Sequence, residues 1–505
     1  MIDPVELQVL TGALRAICEE MGAVLIRSAH SANIKERRDA STALFDLDGE
    51  MVMQAEHIPV HLGAMPAAVA AVLELEQAPG RCWILNDPYK GGTHLPDLTL
   101  IEPVFAADAT TGAERLIAFA ANRAHHADVG GPTPGSMPAD SRTLADEGVV
   151  IEPRVLDEEA IAELVAQMRQ PQQRRADLRA QLAATRVGAR RLRELHDRVG
   201  ADTLSEAFAA VLDYAERRTR ACIEQLDDGE RTARDVLEAI EGDLPIVVSA
   251  RVRGDRLTLD FSGTAPQHHG NLNCPLAVTH SACYFAVRVL TDPDIPPSAG
   301  AYRPVEVIAP EGSLLNARPG SGDPGLAPAV VGGNVETSSR VADVVLAAFG
   351  RALGQGTMNN VSLGNDDVVY YETIGGGQGA CLDADGPSAV HVAMSNTLNT
   401  PVEALELEFP LRVLEYARRR GSGGAGRHRG GDGVVRELEA LEPLHYSLIT
   451  ERRRHPPLGA AGGDPGAPGR NLLDGEELPA KATGDLKPGQ RLRIETPGGG
   501  GYGEP

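Results

Sequence analysis

Paired cysteines, membrane-length apolar runs, an excess of positive charge and a phosphate-binding loop are all missing from this chain, and each absence removes a class of function. The six cysteines, Cys18, Cys82, Cys222, Cys274, Cys283 and Cys381, are scattered through 505 residues with no C-x-x-C pair. Neither a disulfide framework nor a structural zinc knot is indicated, and they read as reduced, mostly buried thiols. No stretch approaches the roughly 18 uninterrupted apolar residues of a membrane helix. The start, Met1-Ile-Asp-Pro-Val-Glu6, has neither a basic nor an apolar leader region, so the expectation is a cytoplasmic chain with no membrane contact. Lysine and arginine number 48 against 71 aspartates and glutamates, a formal charge of -23. That balance repels a phosphate backbone and argues against nucleic acid as a partner; the Arg174 to Arg193 stretch reads as a solvated helix face. No G-x-x-x-x-G-K-[ST] occurs, so any ATP is expected to bind another subunit. No G-x-S-x-G elbow is present and no cysteine sits in a nucleophile context, which leaves a covalent mechanism with little support.

What is present is an ordinary globular composition, 42% apolar and 24% charged, in a chain long enough for two or more packed regions. Asp3-Pro4 with Glu6 is a helix start, and Leu7, Leu10, Leu14, Ile17, Met21 and Val24 repeat at helical spacing. Short apolar runs follow at Thr42 to Leu47, Cys82 to Leu85, Leu98 to Val104 and Leu116 to Ala121, separated by Gly, Pro, Asn and Asp clusters. They predict strands joined by shaped loops. From about 156 to 240 the chain is rich in Ala, Leu, Arg and Glu, which predicts long helices. Val248 to Phe261 alternates around Gly254-Asp255 as a hairpin does, and further strands are expected at Tyr302 to Ile308 and Val368 to Ile374. The expected fold class is α+β, with mixed multi-strand sheets and a helical region in the middle: 1–150 as an N-terminal α/β region, 151–242 helical, and 243–505 a mixed α/β region with glycine-rich loops. Gly421-Ser-Gly-Gly-Ala-Gly426 matches G-x-G-x-x-G, but a helix-like Val413 to Arg420 precedes it, which argues against a dinucleotide site. The loops Gly375 to Gly379, Gly421 to Gly433 and Pro497 to Gly503 could cradle a phosphorylated molecule through backbone N–H groups, although such loops are more often turns.

The histidines carry the first chemical signal, since five of 14 fall between His57 and His126. Gly91-Gly-Thr-His-Leu-Pro-Asp97 is a loop in which His94 and Asp97 could converge on one cation. His125-His126 stand at a strand end before Asp128-Val-Gly-Gly131, and Asp39 follows Glu36-Arg37-Arg38 just ahead of another strand. Two imidazoles with one or two carboxylates form a mixed nitrogen and oxygen donor set suited to divalent Zn, Mn or Fe. Such a site with an open position lowers the pKa of water to about 7 and polarises a substrate oxygen, as hydrolysis of an unreactive amide requires. The same residues could equally cap loops and pair with Arg37, Arg38 and Arg123. His57 and His61 flank Pro59, and either could support the site or be structural.

Longer motifs resemble a known family. Glu36-Arg-Arg-Asp-Ala-Ser41, Gln54 to Gly63, Asn86 to Asp97, Arg123 to Gly131, Pro134 to Pro138, Asp260 to Thr264, Gly333-Asn-Val-Glu-Thr-Ser338, Met394-Ser-Asn-Thr397 and Thr496 to Gly503 are similar, in this order, to the hydantoinase B family over essentially the whole chain. The resemblance implies a B-type subunit of an ATP-dependent cyclic-amide hydrolase. An A-type ATPase partner, in an A2B2 assembly, would phosphorylate the carbonyl oxygen of 5-oxoproline, a hydantoin or another lactam. It further implies one metal held by His94, Asp97, His125 and, in some members, Asp39. His126 or Asp128, close in sequence to His125, would support the ligand or carry a proton. The alternatives are a subunit of an ATP-dependent ketone carboxylase of the acetone or acetophenone type, and a non-catalytic scaffold subunit. Nothing in these motifs reports the size of the substrate ring.

Overall fold

A computed structural model describes residues 2–56, 58–108, 111–320 and 322–505. The architecture is α+β, built on four open sheets. Asp3 caps the first helix, Pro4–Ser28, by accepting hydrogen bonds from Val5 N (2.9 Å) and Glu6 N (3.4 Å), and Leu10, Leu14, Ile17 and Met21 face inward as their spacing predicts.

The first sheet matters most for function. Its six strands run in the order Met51–Glu56, Ala40–Phe45, Glu114–His125, Asp97–Ala107, Trp83–Leu85, Arg154–Val155, each neighbour antiparallel. Alternation along a strand sends Leu44 to one face and Ala43 and Phe45 to the other. Leu44 meets the helices Pro4–Ser28 and Pro171–Val199, whereas Ala43 and Phe45 meet Met65 and Val69 of the helix Ala64–Leu73. Both faces are therefore covered, and the sheet is the middle layer of a sandwich.

The helices of the middle region are Glu158–Val165, Pro171–Val199 and Ala201–Ile223. Gly229–Ala239, expected to be helical, is a strand instead, because it pairs along its whole length with Gly242–Arg253; helical composition yields to an available ladder partner. Arg174 also departs from the expected solvated face: it is fully buried beside Asp177, at 3.5 Å. Two further sheets fill the second half, with strand orders Val369–Glu372, Asn360–Gly364, Leu444–Ile449, Lys481–Leu486 and Leu411–Arg419, Gly433–Ala440, Arg491–Glu495, Arg470–Leu473, Glu476–Leu478. Leu411–Arg419 overturns the helix-like expectation at Val413 to Arg420. The dinucleotide reading stays excluded because an antiparallel strand, not a helix, follows the glycines. No disulfide joins the described cysteines, and Cys18, Cys82, Cys274 and Cys283 are buried.

The glycine-rich stretches do more than turn the chain. They lie alongside one another as extended chains bonded backbone to backbone: Gly431 N donates to Gln378 O, Gly499 N to Gly431 O and Gly424 N to Gly499 O, each at 2.9 Å. These donors are spent within the protein. A Cβ at Gly431 would lie 1.9 Å from Pro387 O and one at Gly499 2.1 Å from Gln378 O, so contact between chains, not turn geometry, demands glycine. Gly499→Ala is expected to lower stability by about 1–3 kcal/mol, as overpacking does. Gly12→Ala, on an open helix face with nothing within 4 Å, should raise it by about 0.5–1 kcal/mol. Urea unfolding midpoints of the two variants check both signs.

Candidate metal centre

The antiparallel pairing of Asp97–Ala107 with Glu114–His125 sets Asp97 directly opposite His125. His94 joins them from the loop ahead of the first of these strands, a loop shaped by glycine: Gly91 has φ +94° and a Cβ there would lie 2.4 Å from Ala67 C. Arg123, fully buried, holds the loop by donating to Gly91 O at 2.8 Å and to Thr99 Oγ1 at 2.7 Å.

Three atoms converge. His94 Nε2 is 3.2 Å from His125 Nδ1 and 3.2 Å from Asp97 Oδ1, and His125 Nδ1 is 3.1 Å from Asp97 Oδ1. An almost equilateral triangle of this edge is what three donors make when each lies about 2.0–2.2 Å from a shared cation. All three side chains are buried. The other Asp97 oxygen accepts from Thr93 Oγ1 at 2.5 Å and faces His61 Nε2 at 3.5 Å, while His61 Nδ1 is paired with Ser41 Oγ at 2.8 Å. The His125 ring stacks on Tyr371, with centroids 4.6 Å apart and planes 13° apart. Arg37 fixes Tyr371 by donating to its carbonyl at 3.1 Å with the guanidinium 4.8 Å from the ring centroid.

Electrostatics favour the metal-binding forms of Asp97 and His125. Burial by itself would raise the Asp97 pKa, but the charge of His94 and hydrogen bonds from His125, His61 and His94 outweigh it and hold the carboxyl well below its ordinary value. Burial lowers the pKa of His125 and of His61 against the opposing pull of Asp97. An ionised carboxylate and neutral imidazoles are the states that ligate. Lone pairs packed this closely in the interior repel unless a cation or proton is shared among them, and His94 Nδ1 and His125 Nε2 are buried with no protein partner. The donor set fits a divalent ion of the Zn, Mn or Fe type.

Asp39 borders the same cavity, but its carboxylate stands outside the cluster formed by the other three and lies 3.8 Å from Arg37 Nη2. Burial raises its pKa, opposed by His125 and Arg37. Arg38, at φ +57°, adopts the left-handed backbone that lets Arg37 and Asp39 both turn inward. His126 and Asp128 do not line the cavity. Neighbours on a strand face opposite ways, so His126 points toward the helix Pro171–Val199, where it meets Gln181 Oε1 at 2.8 Å and burial lowers its pKa to about 4. Asp128 accepts from Gly130 N, Gly135 N and Arg169 N at 2.8, 3.1 and 3.0 Å and organises the loop. His57 lies outside the described residues. Sequence reasoning missed Thr93 and Tyr371; Thr93 sits inside the His94 motif, whereas nothing local marks Tyr371. His126→Ala is expected to keep the metal and lose about 1–3 kcal/mol of stability through the orphaned Gln181. Metal content and thermal unfolding of that variant test this, and loss of turnover from a folded, metal-replete variant would return His126 to a proton-carrying role.

The fold and the triad together define an α+β chain with a buried cluster of two imidazoles and a carboxylate. This chain belongs to the hydantoinase B/oxoprolinase family, whose model matches residues 3–505. It is 38% identical to 5-oxoprolinase 1 of Arabidopsis thaliana over 99% of its length, yet spans only 42% of that protein. It is 31% identical to a Pseudomonas sp. (strain NS671) protein provisionally named as the B subunit of a D-/L-hydantoinase, covering 100% of this chain and 90% of that one. Among solved structures, an ATP-dependent caprolactamase from Pseudomonas jessenii superposes with a TM-score of 0.90 at 29% identity, over 100% of this chain and 92% of the other.

Proposed function

We propose that this chain is the metal-carrying B subunit of an ATP-dependent cyclic-amide hydrolase, with 5-oxoproline, a hydantoin or a related lactam as substrate. The observation that carries the reading is the His94, Asp97 and His125 triangle, closed by donors of the right type inside a buried cavity. Relatives named 5-oxoprolinase, hydantoinase B subunit and ATP-dependent caprolactamase support the reaction class. A relative that matches end to end and is named as one subunit of its enzyme, together with the absence of a phosphate-binding loop here, supports an A-type ATPase partner, in an A2B2 assembly, that uses the ATP. The proposed location is the cytoplasm; among the described residues no helix is long and apolar enough to cross a membrane.

His94, Asp97 and His125 would hold one divalent ion, with Asp39 at its edge. Such an ion supplies an acidified water and a polarised substrate oxygen. The chain's own residues prepare the rest. Thr93 and His61 orient the Asp97 carboxylate, Tyr371 fixes the plane of the His125 ring, and His126 and Asp128 hold the strand end and loop that carry His125. Ile58, Val60, Val335, Met358 and Met394 give the cavity an apolar lining that excludes bulk water from an activated ring carbon. Asp39, kept above its ordinary pKa by burial, is placed to accept or return the proton that leaves water or reaches the ring nitrogen.

Elemental analysis of the purified chain, followed by ATP-dependent hydrolysis of 5-oxoproline, hydantoins and caprolactam with the partner added, tests the proposal. About one metal per chain with ring opening is the expected result. A strict bicarbonate requirement would instead identify a carboxylase, and full activity without metal would leave the scaffold reading.

A further inference from the structure

The cavity over the triad has a volume of about 20 Å³, room for about one water, whereas sites for small organic molecules run to roughly 300 Å³ and more. A cyclic amide cannot lie against His94, Asp97 and His125 with the cavity walls in these positions. Across one wall is a groove of about 660 Å³ bordered by Pro59, Leu62, Phe285, Val289 and His391.

Two chain segments form the partition. Ile58 and Val60 border the cavity while Pro59 and Leu62 border the groove; Met394 and Thr397 border the cavity while Val392 and Asn396 border the groove; Ser395 borders both. At Ser395 the wall is a single chain thick. The 391–397 strap is also held unlike a ladder strand. Val390 and Gly376 exchange backbone bonds of 2.9 and 2.8 Å at one end, and Leu398 N donates to Arg37 O at 3.1 Å at the other. Among the described residues the one backbone–backbone bond between these anchors lies within the strap, from Ser395 N to Val392 O at 3.1 Å. Side chains contribute further bonds, among them His391 Nδ1 with Ser395 Oγ at 2.6 Å, Thr397 Oγ1 with Thr373 Oγ1 at 2.6 Å and Arg37 Nη2 to Thr397 Oγ1 at 3.4 Å. Ala389 and Ala393 occupy the left-handed region, at φ +55° and +49°, a conformation that costs any residue with a Cβ. Few backbone bonds and stored strain place a segment at the low end of local stability, from which moving loops are drawn.

We infer that this groove is the route by which the cyclic amide activated on the partner reaches the triad, and that the 391–397 strap, closed against Thr373 by the Thr373–Thr397 pair, is the wall it passes. This rests on the metal-hydrolase reading. Phe285, Leu62 and Val289 suit the ring carbons, and the strap's hydroxyls, once released from their partners, offer hydrogen bonds to the amide.

Two variants test it in the full chain with its partner. Thr373→Cys with Thr397→Cys places two thiols where the hydroxyls already meet, so that diamide can take up their two hydrogens and leave a disulfide. The oxidised protein should keep its metal and turn over lactam at least ~10-fold slower than the same protein reduced, as expected when a moving segment gates turnover; dithiothreitol should restore the rate. Equal rates in the two states would overturn the strap's role. Val289→Trp, at a half-exposed groove position outside the cavity, should raise KM with metal content and co-elution with the partner unchanged. An unchanged KM would overturn the groove as the approach. Wild-type protein lacking metal or hydrolysis would instead fault the underlying reading, and that is seen before either variant is made.

Discussion

His94→Ala and His125→Ala should each yield a folded chain that retains little metal and opens rings ~10³-fold or more slowly, since a catalytic ion supplies several kcal/mol of charge stabilisation and each ~1.4 kcal/mol is a factor of ten. Each substitution removes one corner of a triangle whose edges are 3.1–3.2 Å, and two donors seldom hold a divalent ion against free water. Asp97→Asn should do the same with smaller structural cost, because the amide keeps the shape but gives up the negative charge that the imidazoles face. Thr93→Ala is the graded case: loss of its 2.5 Å bond to Asp97 should weaken metal binding by about 10–100-fold, the usual cost of losing a partner that orients a ligand. Metal content by elemental analysis, read beside circular dichroism, separates loss of the ion from loss of the fold. Wild-type turnover in a metal-free His125→Ala protein would refute the metal assignment outright.

Arg340→Ala is expected to be the most damaging single change to stability, at about 3–5 kcal/mol, the cost of leaving buried charge unpaired. Arg340 is fully buried and lies 3.0 Å from Asp235 and 3.3 Å from Glu451, donating also to the carbonyls of Val236 at 2.9 Å and Gly356 at 3.1 Å. The same carboxylates are shared with Lys481 and Arg452, the latter 2.6 Å from Asp235, so one deletion unbalances a network that ties the Gly229–Ala239 strand to the end of Leu444–Ile449. A pH dependence follows. Burial would raise the Asp235 pKa, but Arg340 and Arg452 outweigh it and bring the carboxyl down to about 2. A folded-state pKa below the unfolded value contributes stability that is fully present above about 4 and is lost as pH falls toward 2. In Arg340→Ala this acid-sensitive component should shrink, so wild type and variant should differ less at pH 3 than at pH 7 in urea unfolding. A constant gap across that range would mean that Asp235 is not held ionised by Arg340.

The route from sequence to site is open where chemistry is local. His94 and Asp97 share one loop, His125 stands at a strand end, and the pairing of two nearby strands joined by a short connection brings them together. The direction of His126 also follows from a local rule, since alternation along an extended strand turns it away from the ligand beside it. Val413 to Arg420 and Gly229–Ala239 depart from expectation for another reason. Both carry helix-favouring residues, and the ladder partners that make them strands, Gly433–Ala440 and Gly242–Arg253, exert no influence that composition can register.

By itself the sequence determined the α+β class, the first helix and its cap, the family and the donor types, because caps, alternation and ligand chemistry depend on residues close together in the chain. Only the tertiary structure decided that Asp39 pairs with Arg37 beside the triangle, that Tyr371 fixes the His125 ring, that Arg174 is buried, that the glycine stretches pack against one another, and that the 391–397 strap separates a one-water cavity from a groove. Except for the local Arg37–Asp39 contact, whose place beside the triangle is set by the fold, each of these depends on segments distant in sequence meeting in space, and their contact energies exist only once the whole chain has folded.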